Sequence, residues 1–284
     1  MEIINNPQWT NSLTTRVFFS DEKGFEVASV IVLGKNDAVL IDTQWTLSNA
    51  YRVAAEILET GKSLKTIYVT HAHPDHYFGL GHIAEVFPQA RVTALPEVAH
   101  TINKQFFGKL EHWESVIGAT NVCRKEVNIE PLIESYIDLE GHRIEIISQV
   151  MGDMKYNSVV WIPSIKTLYA SDVLFNQAHP FTCEVTAEER QQWIEDIKQL
   201  ENMGAEVIIP GHQKPGMPFD TSSFDFTRNY LIATNETLVK TTDVSGFYYA
   251  MVKQFPDANL FISNEMNSNV FKGGMSWNWR EDQG

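Results

Sequence analysis

The sequence predicts an α/β sandwich, two β-sheets packed together with helices outside. Three observations lead there. Short β-rich runs come in pairs around turn residues, each half of the chain follows its strands with helical stretches, and the chemically suited residues fall at the ends of apolar runs. With 284 residues, 43% hydrophobic and 20% charged, the chain is long enough to bury a core without staples. One domain over residues 1–284 is expected, its last part, 221–284, forming a mainly helical C-terminal extension.

The elements follow in order. Glu26 to Leu33 and Ala38 to Ile41 flank Gly34, Lys35, Asn36 and Asp37 and read as a hairpin. Ser48 to Thr60 has helical spacing and stops at Gly61. Leu64 to Val69 is a short buried strand, Gly79 to Val86 a helix, and Arg91 to Leu95 a strand. Pro96 to Ile117 is a long helical stretch with a break expected at Gly108. Tyr136 to Leu139 and Arg143 to Ile147 surround Glu140 and Gly141 as a second hairpin. Ser158 to Ile162 and Thr167 to Ala170 make a third. Thr186 and Glu189 form a capping box that opens a helix ending near Gly204. Glu206 to Ile209 is a further buried strand, and helices dominate from Ser222 onward.

Composition narrows the function. The net charge is −14, and no Lys/Arg cluster offers the basic face that phosphate backbones require, so nucleic-acid binding is not expected. No apolar run reaches the ~18 residues of a membrane span. The N-terminus lacks the pattern of a signal peptide, and a cytoplasmic protein without membrane contacts is expected. The two cysteines, Cys123 and Cys183, stand far apart and read as plain buried thiols.

The chemistry gathers in "THAHPDH", directly behind the strand that ends at Val69. His71 and His73 stand at i, i+2, so on extended backbone both rings point to one side. Pro74 stiffens the loop before Asp75 and His76. Imidazole suits zinc, iron and nickel, and carboxylate adds a hard oxygen. A histidine-rich surface loop is the bland alternative, and the buried strand in front of the cluster speaks against it.

In these residues the chain resembles the metallo-β-lactamase superfamily. "AVLIDTQW" supplies an aspartate closing an early strand, Asp42. "THAHPDH" supplies the HxHxDH stretch, "LYASDVLF" a bridging aspartate, Asp172, and "VIIPGH" a late Gly-His, His212. The resemblance implies the αββα fold of that family. The chain departs from the pattern at "MGDMKYNSVVWIP", where family members carry Gly-His-Thr. Aligning Gly152, Asn157 and the strand Val159 to Trp161 places Asp153 at the histidine position. A one-residue gap would offer Met154 instead, a poor partner for carboxylate-bound metal. A third alternative leaves this position without a ligand and the first site weak or empty.

The resemblance implies two metals. The first would take His71, His73 and Asp153; the second Asp75, His76 and His212; Asp172 would bridge them. Asp42 would orient a ligand or the loop by hydrogen bonding. Zn²⁺, two per chain, is the expected metal, with Mn²⁺ or Fe as alternatives because an aspartate in place of a histidine adds negative charge. The expected activity is hydrolysis of a small ester, lactone or related acyl substrate by a metal-bound hydroxide, with Asp75 or Asp172 orienting the water and taking its proton. The GxSxG pattern of a serine nucleophile does not occur. An iron-dependent oxygenase and a degenerate, non-catalytic metal-binding member stay open as alternatives. His82, His100, His112 and His142 read as surface or packing residues. His179 follows Asp172 on the loop leaving a ligand-bearing strand, and it reads equally as a pocket or a packing residue. Trp45, Tyr77, Phe78 and Phe181 are candidate pocket walls, and the bland alternative for each is core packing. The C-terminal "GGMSWNW" is a candidate cover for a cleft.

Overall fold

The structure, a computed structural model, describes residues 2–4, 13–277 and 279. The strands are β1 (Glu2–Ile4), β2 (Thr14–Phe19), β3 (Ala28–Leu33), β4 (Asp37–Ile41), β5 (Ser63–Val69), β6 (Arg91–Ala94), β7 (Glu130–Pro131), β8 (Tyr136–Leu139), β9 (His142–Val150), β10 (Asn157–Ile162), β11 (Thr167–Asn176) and β12 (Val207–Gln213). The helices are α1 (Leu47–Thr60), α2 (Pro74–Tyr77), α3 (Leu80–Val86), α4 (Pro96–Ile117), α5 (Ala187–Glu201), α6 (Ser222–Lys240), α7 (Val244–Gln254) and α8 (Phe261–Lys272). The strands form a seven-stranded sheet ordered β1 to β7 and a five-stranded sheet ordered β12-β11-β10-β9-β8. The chain divides into two compact units, one of Met1–Ser148 with Val160–Thr167, the other of Gln149–Val159 with Leu168–Gly284.

In the first unit, the seven-stranded sheet is antiparallel from β1 to β4 and parallel from β4 to β7. The switch follows from chain connection. A tight turn joins β3 to β4, whereas α1 carries the chain back between β4 and β5, as a parallel pair requires. Thr46 caps α1 by accepting from the Asn49 N–H, and Gly61 ends it with φ 66°. Ala50, Val53, Ala54 and Ile57 recur at helical spacing and are its buried face. Every residue of β3 is buried, so it reads as a continuous apolar run without alternation.

A carboxylate ties the β8–β9 turn to the β3–β4 turn. Glu140 accepts from the backbone N–H groups of Lys35, Asn36 and Asp37 at 2.6, 2.7 and 3.1 Å. Three consecutive amides converging on one anion form a nest.

In the second unit, β11 is buried along all its residues. The capping box on α5 is present as the sequence predicts. Trp193 of α5 donates from Nε1 to the Val173 carbonyl at 2.8 Å, fastening the helix to the strand. His179 is fully buried, with Nδ1 3.0 Å from the Tyr230 hydroxyl and the Phe261 ring beside it. Burial holds the His179 imidazole down to about pKa 4. Both cysteines are buried and free.

Some expectations need correction. Helix α4 runs through Gly108 unbroken. A glycine costs a helix about 1 kcal/mol relative to alanine, and the buried Phe106, Lys109 and Trp113 on the inner face outweigh that. His142 opens β9, one residue earlier than the strand start expected at Arg143. β1, β2 and β7 and the one-turn α2 have no counterpart in the sequence reading. Of the "GGMSWNW" stretch, Asn278 lies outside the described residues. Among the described residues no helix is long and apolar enough to cross a membrane.

Two measurements check these contacts. The amide contacts, that of Asn36 first, hold the Glu140 carboxyl below its ordinary 4.5. Its stabilising effect is therefore present above that pH and is lost as pH falls through the lowered value. Glu140→Gln should lower Tm at pH 7 by a few degrees, with the difference from wild type vanishing in acid. A difference that persists in acid would contradict the nest. For His179 the unfolded chain takes up a proton near 6.5 and the folded chain only near 4. Unfolding free energy should fall by roughly 3 kcal/mol across that window through this group. His179→Phe should lack that part of the slope in denaturant titrations at several pH values.

Candidate metal centre

The first half of the site hangs on the end of β5. Directly after Val69, Thr70 places its backbone N–H 2.9 Å from Asp42 Oδ1 and its hydroxyl 2.8 Å from Asp42 Oδ2. Asp42 ends β4 with φ 59°, a left-handed conformation that aspartate tolerates better than most residues. The same carboxylate lies 2.8 Å from His76 Nδ1, and all three residues are fully buried. His71 Nδ1 is 3.0 Å from the Thr70 hydroxyl. That hydroxyl has one proton, which it gives to Asp42, so His71 Nδ1–H donates to Thr70 Oγ1. His76 Nδ1–H donates to Asp42 in the same way. Both rings are thereby set in the tautomer that leaves Nε2 as the lone-pair nitrogen.

The loop is held close to β4 by a second set of contacts. The Thr43 N–H donates to the His76 carbonyl at 2.8 Å, and the Gly79 N–H donates to the Gln44 carbonyl at 2.9 Å. A Cβ on Gly79 would lie 2.1 Å from the Thr43 carbonyl oxygen, so only glycine permits this approach. Pro74 starts α2 at a position where its missing N–H costs nothing. The His71 and His73 rings lie 5.1 Å apart between centroids, and those of His71 and His76 4.2 Å. Donor atoms of His71 and His73 fall within 4.8 Å of one another, as do those of Asp75 and His76.

The second half is built by β11, β12 and the turn before β10. Asp153 and Asp172 are 0% and 2% exposed, and each offers a carboxylate oxygen within 4.8 Å of the other's. The Asp153 N–H donates to the Asp172 carbonyl at 3.3 Å, and Asn157 Nδ2 donates to Asp153 Oδ1 at 3.2 Å. His212 Nε2 is 3.2 Å from Asp172 Oδ2, and Phe175 stacks on the His212 ring at 5.3 Å. A Cβ on Gly211 would lie 2.0 Å from Asp172 Oδ1. The glycine before His212 thus makes room for the carboxylate. Ser171, just before Asp172, has φ 47°, a strained value for a non-glycine residue.

The donor chemistry fits a divalent cation. The first half presents imidazoles with their lone pairs assigned to Nε2, and the second brings two buried carboxylates near one another. Two anions that close and that buried repel unless a cation compensates them. Met154 is buried and its carbonyl accepts from Asn157 Nδ2 at 3.0 Å.

The candidate pocket residues occupy different surroundings. Trp45 is buried against Phe25, Phe78 and Trp113, with its ring stacked on Phe78 at 5.7 Å. Tyr77 and Phe78 are equally buried and meet Phe106 of α4. Burial and the charge of Asp75 push the Tyr77 hydroxyl far above the usual range, so it stays protonated. His179 belongs to the core around Tyr230. Phe181 alone of this set is half-buried, with Trp277 edge-on at 5.0 Å. Trp277 also donates from Nε1 to Glu184 Oε2 at 2.6 Å. The sequence reading gave no role at the site to Thr70 or Gly79, and it used Asn157 and the glycine before His212 only as parts of motifs. A hydroxyl residue directly before His71 was the one local signal among them.

No curated protein matches the chain. Among solved structures, the chain is similar to a metallo-β-lactamase family protein from Thermus thermophilus, at 18% identity and a TM-score of 0.65, covering 90% of this chain and 92% of that one. It is also similar to a metallo-β-lactamase from Pontibacter korlensis, at 18% identity and a TM-score of 0.62, covering 81% and 98%. The DIM-1 metallo-β-lactamase matches at 20% identity and a TM-score of 0.59, covering 81% and 96%. These likenesses establish the fold, the α/β metallo-β-lactamase fold with two sheets and helices. The sequence profile of the metallo-beta-lactamase superfamily matches residues 23–212, and the chain belongs to that superfamily.

Proposed function

We propose that this protein is a metal-dependent hydrolase of small carboxylic esters, lactones or related acyl compounds, with two divalent cations per chain. The observation that carries the reading is the Asp42–Thr70 network, which fixes His71 and His76 with Nε2 as the donor. A surface histidine cluster has no need of such tautomer control. His71, His73 and Asp153 would hold the first cation, Asp75, His76 and His212 the second, and Asp172 would serve both. When bound, such cations lower the pKa of water towards neutrality and stabilise the oxyanion that develops on the substrate.

The chain's own groups do the rest. Asp75 or Asp172 orients the attacking water and takes its proton at a carboxylate oxygen. Asp42 keeps both imidazoles in the donor tautomer throughout. Asp153 in place of a neutral imidazole makes the donor set more anionic, which tilts it towards manganese or iron relative to an all-histidine set; zinc stays the first choice because imidazoles are the majority.

The surroundings of the motifs support the substrate class. Lys155 pairs with Glu189 at 3.3 Å, and Lys214 donates to the Asp257 carbonyl at 2.7 Å. The lysines nearest the motifs in sequence thus have partners, which speaks against a highly anionic phosphate substrate. Trp45, Tyr77 and Phe78 support the histidine loop from the core, and Phe181, half-buried beside Trp277, is the one aromatic of the candidate pocket set that is left partly exposed.

Metal analysis of purified, metal-replete protein should find about two zinc or manganese per chain. Asp153→Ala should leave about one, and Asp153→His should restore two with stronger zinc preference. A single iron, with an oxygen-dependent reaction, would transfer the assignment to an oxygenase, and no metal to a degenerate binding member. A screen of esters, lactones, thioesters, phosphodiesters and β-lactams should give its highest kcat/KM on an ester or lactone. Asp172→Asn should lower that kcat by roughly 10²–10⁴-fold. Dominant phosphodiesterase activity would overturn the substrate assignment.

A further inference from the structure

We infer that Lys109 is a positioning residue for the histidine pair, setting the separation of His71 and His73 by holding the peptide between them. Lys109 lies on α4 and is 2% exposed. Its Nζ donates to the carbonyl of Ala72 at 2.6 Å. Ala72 is the single residue between the two histidines, so the peptide that joins it to His73 determines where the second ring points relative to the first. Rotating that peptide would break the contact and turn His73 away. The inference rests on the reading of His71 and His73 as metal ligands.

Burying an amine carries a desolvation cost that an aliphatic side chain would not. The rest of the inner face of α4 is mostly apolar: Val98, Ile102, Phe106 and Trp113 are all buried. Within it Thr101 is 4% exposed, and Lys109 stands eight residues on, two turns along the same face. The neighbouring supports of the loop reach other atoms. Asp42 and Thr70 orient the His71 and His76 rings, and Thr43 holds the His76 carbonyl. These contacts hold ring atoms and the His76 carbonyl, whereas the Lys109 contact holds the Ala72 carbonyl. The Lys109 ammonium makes the strong, charge-assisted form of the hydrogen bond.

The test uses the full chain. Zinc affinity is measured by chelator competition on wild type, Lys109→Met and Lys109→Arg, and the visible spectrum of the cobalt-substituted proteins reports the ligand field. Lys109→Met keeps the aliphatic stem and loses the donor. It should weaken one of two sites by roughly 10–100-fold, the size seen when groups behind metal ligands are removed, and alter the cobalt spectrum of that site only. Lys109→Arg, which can still donate, should recover most of the affinity. Ile102→Val on the same helix is the control for packing loss. It should lower Tm without moving zinc affinity or the cobalt spectrum. If Lys109→Met does not fold, the same measurements on Lys109→Gln against Lys109→Arg decide. Unchanged affinity and spectrum in a folded Lys109 variant, beside a wild type that binds two metals, would overturn the positioning role alone. A wild type that binds no metal would overturn the ligand reading itself.

Discussion

The histidine loop of the candidate centre depends on one buried carboxylate. Asp42 takes the Thr70 amide, the Thr70 hydroxyl and His76 Nδ1, all within 2.9 Å. A wholly buried carboxylate is costly unless such donors surround it. Here the compensation does more than offset the cost. Through Thr70 it reaches His71, so one anion determines the protonation pattern of two imidazoles. The price is a left-handed residue at the end of β4, and the sheet holds it there because the Asp42 N–H extends the ladder to the Tyr68 carbonyl at 2.9 Å.

The second unit solves a different problem, which is how to keep two carboxylates near one another. It does so with backbone. The Asp153 amide is tied to the Asp172 carbonyl, and the absence of a side chain at Gly211 leaves the space that the Asp172 carboxylate fills. The loop that follows β11 is clamped just as firmly. Asn267 of α8 accepts from the Thr182 and Cys183 amides and donates to the Pro180 carbonyl at 2.8, 3.0 and 2.9 Å. Arg190 adds contacts to the Thr182 and Val185 carbonyls at 3.2 and 2.5 Å. A loop with so many backbone groups satisfied by side chains has lost most of its freedom. The C-terminal helices thereby set the place of Phe181, whose chain neighbours they grip. Burial lowers the Arg190 guanidinium to about 10, still charged at neutral pH.

Much of this is legible in the sequence. The hairpins, α1 with its glycine stop, the capping box of α5 and the apolar runs ahead of His71 and His212 all rest on local patterns, in which a residue's neighbours in sequence are its partners. The aspartates and histidines are legible as candidate metal donors because their types are rare in apolar surroundings and their spacing is short. The less legible parts have specific causes. The helix α4 continues through Gly108 because buried side chains on both sides of it outweigh a local propensity. β1, β2 and β7 are too short or too mixed in pattern to announce themselves. Trp45, Tyr77 and Phe78 follow candidate ligands in sequence, yet nothing local says that Phe25, Phe106 and Trp113 close over them.

The sequence by itself determined the chemistry on offer: which imidazoles and carboxylates exist, in what order, and behind which strands. Only the tertiary structure decided their state. The tautomers of His71 and His76 depend on Asp42, some thirty residues away, and the Ala72 carbonyl on Lys109, farther still. Gly79 and Gly211 look like ordinary turn residues until the Thr43 carbonyl and the Asp172 carboxylate are seen where a Cβ would stand. The reason is the range of the interaction. Periodicity and spacing are written along the chain, whereas a hydrogen bond or a close approach exists only once folding has brought distant residues within about 3 Å.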